Sequence, residues 1–167
     1  MPEKETMERA REDEREGKSP STQAGEFVKE EMDHIREGKH GARSPQQAIA
    51  IGLSKARRAG VKLPPPNKKT TSQATRTKAA QDERKGQSSS RKKTSAKRSR
   101  GVTRALKREG SDAASHAALS KQAKRTSGQR GSAARKQSAA KAVRTKGAAG
   151  RSQAAKKAAR TRARRAA

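Results

Sequence analysis

The sequence predicts a mostly disordered chain with one small all-α element, a helical hairpin followed by a conditionally helical tail rich in Lys, Arg and Ala. Three observations carry this. Only 28% of the residues are hydrophobic while 36% are charged, at a formal net charge of +28, a balance that leaves most of a chain without enough apolar surface to offset its ordering entropy. Residues 67–167 hold 31 Lys and Arg against 4 Asp and Glu, with Val102, Leu106, Leu119 and Val143 as their sizeable apolar side chains. Residues 26–66, by contrast, gather Phe27, Val28, Met32, Ile35, Ile49, Ile51, Leu53, Val61 and Leu63.

Residues 1–25 read as a charged N-terminal arm. Acids and bases mix from Glu3 to Lys18, which suits a partly helical segment, and Ser19-Pro20-Ser21-Thr22 reads as the turn that ends it. Residues 26–66 form the candidate domain. Val28, Met32 and Ile35 recur at i, i+4 and i+7, predicting a helix over Glu26 to Glu37, and Gly38 stands where a left-handed cap would stop it. Ser44-Pro45-Gln46-Gln47 supplies an N-cap, a proline at the first helical position and a Gln at the third, so a second helix begins there. Ile49, Leu53 and Ala56 share its apolar face, Lys55, Arg57 and Arg58 load its last turn, and Gly60 closes it. Val61 and Leu63 can fold back on it before Pro64-Pro65-Pro66 marks the domain edge. A hairpin of this size is marginal alone, which favours a homodimer or a protein partner docked through residues 26–63.

Residues 67–101 read as a basic flexible linker, with Ser88-Ser89-Ser90 preceding Arg91-Lys92-Lys93. Residues 102–167 read as an Ala/Lys/Arg-rich tail that Gly110, Gly128, Gly131, Gly147 and Gly150 cut into short segments. A degenerate repeat at an offset of 16 aligns Gln137 to Lys146 with Gln153 to Arg162. Ala, Lys and Arg favour a helix, whereas like charges at i, i+4 oppose it until an anion neutralises them; the tail is therefore expected to fold on binding.

A polycation without a core needs an external polyanion. Nucleic acid is the common cellular polymer of fixed negative charge, and neutralising its phosphates releases counterions, so binding needs no folded recognition face. DNA is the expected partner ahead of RNA. The expected contacts are Arg91, Lys92, Lys93, Lys97, Arg98 and Arg100 in the linker, then Arg135, Lys136, Lys141, Arg144 and Lys146, and finally Arg151, Lys156, Lys157, Arg160, Arg162, Arg164 and Arg165. Phe27 is the one aromatic residue, so single-strand readers that stack bases on aromatic rings are excluded as a class.

Other chemistry finds little support. No nucleophile elbow, Walker loop, HExxH motif or dinucleotide loop occurs, so no enzyme activity, cofactor or catalytic residue is expected. His34 with Asp33 and Glu37 would be an oxygen and nitrogen metal set, but a solvated helix face explains all three and no metal is expected. The absence of Cys rules out thiolate ligands and disulfides. No apolar run reaches the roughly 18 residues of a membrane span and the first residues lack a signal-peptide core, so no membrane contact is expected and the chain is placed in the cytoplasm with the nucleoid, or in the nucleus if the source is eukaryotic. The cluster from Arg91 to Arg100 would serve as a nuclear signal only in that second case. Ser19-Pro20 and Ser44-Pro45 are better explained by turn and cap chemistry than as kinase sites.

The string EFVKEEMDHIREGKHGARSPQQAIAIGLSKARRAGVKLPPP, Glu26 to Pro66, resembles a small bacterial domain of unknown function found in short basic proteins sometimes labelled plasmid stabilisation proteins. The pattern from Ser44 to Gly60 carries the resemblance. It implies no activity and no functional residue. The tail is similar in composition to the Lys/Ala-rich tails of linker histones and to bacterial histone-like proteins. The expected function is sequence-independent binding of DNA or RNA backbones by a nucleoid-associated or accessory protein. The alternatives are a stress-protective, intrinsically disordered protein of hydrophilin type, which usually mixes both charge signs, and a plasmid-maintenance or antitoxin-like interaction protein.

Overall fold

The computed structural model describes residues 2–68, 71–88 and 95–166. It is all-α: α1 (Lys4–Arg15), α2 (Pro20–Arg36), α3 (Pro45–Arg58), α4 (Gln73–Gln87), α5 (Ala96–Lys107), a short 3-10 helix η1 (Asp112–Ala114), α6 (His116–Gln129) and α7 (Gly131–Ala166), with no strand among the described residues. Residues 1–122 form one compact unit and residues 123–167 a second.

In the first unit α2 and α3 lie antiparallel. Their closest approach is at Gly52, where a Cβ would stand 2.7 Å from the Val28 Cα and 3.0 Å from the Phe27 carbonyl oxygen. Towards one end of the pair, Phe27, Ala24 and Ala56 bury with Ala10 of α1 and Leu63, flanked by Met7, Leu53, Ala59 and Val61. Towards the other, Met32, Ile35, Ala42 and Ala48 bury with Ala113 and Ala114 of η1, flanked by Val28, Ile49 and Leu119. Helix α4 covers α3 so closely that a Cβ on Gly86 would run into the Arg57 carbonyl. Asp82 of α4 is buried there and its Oδ2 accepts from the Ser54 hydroxyl at 2.6 Å.

Local signals explain the boundaries. Helices α1, α2 and α3 each end on a glycine with positive φ, Gly17, Gly38 and Gly60, and in each case the amide beyond the glycine bonds back into the last turn, Lys18 to Asp13, Lys39 to His34 and Val61 to Ala56. Ser44 caps α3 by accepting from the Gln47 amide at 3.3 Å, while the Gln47 side chain accepts from the Arg43 amide at 2.8 Å. Ser19-Pro20 is the same cap-plus-proline signal, and α2 starts at Pro20 rather than Glu26.

In the second unit, Gly131 and Gly147 have positive φ. Gly147 sits at φ 61°, ψ −178° and breaks α7 in two. The Arg151 guanidinium donates to the Val143 carbonyl at 3.1 Å, satisfying an acceptor of the interrupted turn. Gly128 and Gly150 lie inside helices.

The expectation of a mostly disordered chain with a conditionally helical tail is overturned, and with it the description as intrinsically disordered. Helices lie in the arm, in the supposed linker and in the tail. Two physical reasons account for the error. First, the hairpin does not stand alone: Ala10, Ala113 and Ala114 add burial from outside residues 26–66. Second, charge repulsion in the tail was overestimated. Across residues 131–166 Lys and Arg stand four apart only at Lys156/Arg160 and Arg160/Arg164. Each such pair costs about 0.2–0.5 kcal/mol, less than the propensity that the many Ala, Lys, Arg and Gln residues supply over the whole helix.

Candidate nucleic-acid interface and a buried polar cluster

The sequence of residues 123–167 contains 15 Lys and Arg and no Asp or Glu, so this unit has no carboxylate side chain of its own to offset them. On α7, Arg135, Lys136, Lys141, Arg144, Arg151, Lys156, Lys157, Arg160, Arg162 and Arg164 are all exposed. They surround the helix rather than forming one stripe, but Lys156, Arg160 and Arg164 stack at i, i+4 and i+8 beside Lys157. Arg151 is engaged in holding the Gly147 break, and the Arg135 Nε donates to the Gly131 carbonyl at 3.3 Å. Both keep their charge at the surface.

On α5, Lys97, Arg98 and Arg100 are exposed. Sequence reasoning missed that Arg104 and Lys107 continue them: Lys97, Arg100, Arg104 and Lys107 fall at i, i+3, i+7 and i+10 and share one helical face. The signal was the spacing itself, hidden by the reading of residues 67–101 as a linker. Arg91, Lys92 and Lys93 lie outside the described residues, as do the side chains of Lys146 and Arg165.

Phe27 is fully buried, so the chain's one aromatic ring is withdrawn from any contact with bases. What the cations can do is bind fixed anions.

A second constellation lies within the first unit. Glu31 on α2 is fully buried, with its Oε2 2.6 Å from Lys55 Nζ on α3 and its Oε1 3.3 Å from His40 Nε2. Neither carboxylate oxygen makes a hydrogen bond of sound geometry; the ammonium 2.6 Å away is the firm contact. Lys55 Nζ also donates to Glu30 Oε1 at 3.1 Å. Burial pushes the Glu30 carboxyl upward, but the Thr6 hydroxyl, the Glu3 amide and Lys55 outweigh it and hold it below the ordinary carboxylate value. His34 Nε2 lies 2.9 Å from Glu3 Oε1, a contact that, with Lys39, also lowers the Glu3 pKa. The His40 Nδ1 bonds to the Gly41 carbonyl at 3.1 Å. Glu31, His34 and His40 thus each bring one ligating atom within 4.8 Å of the others. The trio read from sequence is not this one: Asp33 pairs with Arg36 at 3.2 Å and Glu37 with Lys39 at 3.0 Å.

Comparison with known families supplies a match over the elements just described. A model described as a family of unknown function, DUF6496, matches residues 17–69. Residues 17–69 are a DUF6496 domain. The DUF6496 domain runs from the glycine that ends α1 through α2 and α3 to just beyond the prolines, so Glu31, His34, His40 and Lys55 fall inside it while Glu3, α4 and all the α5 and α7 cations fall outside. Its description carries no plasmid-stabilisation role. No curated protein and no solved structure matches the chain. No helix among the described residues is long and apolar enough to cross a membrane.

Proposed function

We propose that the protein binds nucleic acid through the phosphate backbone, without sequence preference, using the exposed cations of α7 assisted by the basic face of α5. The observation that carries this reading is a 36-residue helical segment, broken at Gly147, whose described Lys and Arg side chains are all exposed, in a unit whose sequence has no acid. A helix polar on every side has no core to face, and a dense array of cations gains affinity wherever phosphates release counterions. The burial of Phe27 argues for duplex or backbone binding over single-strand stacking. The DUF6496 domain would serve as the folded anchor of these helices.

Fluorescence anisotropy of the full chain on labelled duplexes of unrelated sequence tests the reading. The affinities should agree closely, and if about ten phosphates are contacted log K should fall with log salt at a slope near −9. Matched RNA duplexes place DNA against RNA. A flat salt response, or a strong preference for one sequence, would sink the proposal.

A further inference from the structure

We propose that Glu31, His34 and His40 form a binding site for a divalent transition-metal cation of the zinc class, set between α2 and the α2–α3 connection. The argument starts at His40. Its Nδ1 faces the Gly41 carbonyl at 3.1 Å, and a carbonyl oxygen only accepts, so Nδ1 carries the hydrogen. In the neutral tautomer that this contact selects, the lone pair of Nε2 faces Glu31 Oε1, 3.3 Å away. Two acceptors at that distance repel unless a cation lies between them. Glu31 sharpens the point, because it is fully buried and Oε1 has no hydrogen bond, a costly state for a carboxylate.

The spacing suits a metal. Two ligands each about 2.0–2.1 Å from a tetrahedral centre stand about 3.3–3.4 Å apart, which is the His40–Glu31 separation. His34 follows Glu31 by three positions on the same helical face and brings the third donor within 4.8 Å of the other two. Its ring is held by Glu3 Oε1 at 2.9 Å from Nε2, and that of His40 by the Gly41 carbonyl on Nδ1, so both imidazoles are oriented by a hydrogen-bond partner, as those of metal-bound histidines usually are. Lys55 occupies Oε2 of Glu31 at 2.6 Å, which leaves Oε1 to ligate alone and sets affinity below that of a closed four-ligand site. Two imidazoles and one carboxylate favour zinc, cobalt, nickel or copper over calcium and magnesium.

The test uses the full chain, freed of nucleic acid and metal, titrated with cobalt(II) at pH 7.5 and followed by visible absorption and by imidazole signals in carbon–proton NMR spectra. The chain has 3 histidines, so the spectra separate the site from His116. One equivalent should bind, the signals of His34 and His40 should shift or broaden while His116 stays unchanged, and zinc(II) should displace the cobalt. His40→Gln and Glu31→Gln should each weaken binding at least tenfold, and His116→Gln should not change it. Saturation that leaves His40 unmoved, or unaltered binding in His40→Gln, overturns the site. So does the absence of binding at millimolar cobalt. Should Glu31→Gln fail to fold, the wild-type spectra and His40→Gln still decide.

Discussion

Gly52 concentrates the geometry of the domain in one residue. Alanine in its place would gain about 1 kcal/mol of helix propensity, yet its methyl carbon would lie 2.7 Å from the Val28 Cα. Backbone cannot step aside as a flexible side chain can, and overpacking of this kind costs about 1–3 kcal/mol. Gly52→Ala should therefore lower the urea midpoint despite the better helix former. Lys18 gives a pH-dependent counterpart. Asp13, at 2.7 Å, and Glu16, at 2.6 Å, raise its pKa above the ordinary 10.5. A raised folded value means that the contribution is complete below 10.5 and is lost as the pH climbs towards the folded value. Thermal midpoints of wild type and Lys18→Met should differ at pH 8 and converge progressively above about pH 10.5. These residues also mark the limits of reading a sequence. Ser44 announces α3 because its cap and proline precede an apolar run, whereas Ser19-Pro20 carries the same signal for α2 but is followed by polar Ser, Thr and Gln. Glu31 could not have been placed in the core from sequence, since the ammonium that makes its burial tolerable, Lys55, is distant along the chain. The spacing Glu31-x-x-His34 was the one legible hint of the polar cluster.

Among the elements, α7 departs furthest from what composition suggests. It is helical throughout except at Gly147, and that break is a backbone choice rather than a charge effect. Alanine at φ 61° is strained, while alanine within a helix is favoured by about 1 kcal/mol over glycine. Gly147→Ala should therefore straighten α7 into one continuous helix and release Arg151 from the Val143 carbonyl. Helical carbon chemical shifts appearing at residues 146–148 would report it; unchanged shifts would mean that the break is imposed from elsewhere. The sequence did show where α7 could be cut, since Gly147 and Gly150 were both candidates, but not which glycine would yield. The break at Gly147 is accompanied by the Arg151 contact, which reaches back eight residues and could not be read from spacing.

For the whole molecule, the charges act together in proportion to their number. Lys156→Gln, Arg160→Gln and Arg164→Gln combined should reduce the salt slope of nucleic-acid binding by roughly 3 and weaken all sequences alike. Loss of affinity on one sequence only would show that these side chains read more than phosphates. The order in which the chain assembles follows from η1. Helices α1 to α4 pack each on its neighbour along the chain, whereas η1 returns to α2 and α3 from far downstream, its Ala114 carbonyl accepting from Arg36 across 78 residues. Local pairings form fast and distant ones late, so Ala113 and Ala114 should dock last in folding and lift first under strain. Amide exchange should reach the cluster around Ile35 and Ala48 through that opening, leaving the end around Phe27 protected for longest.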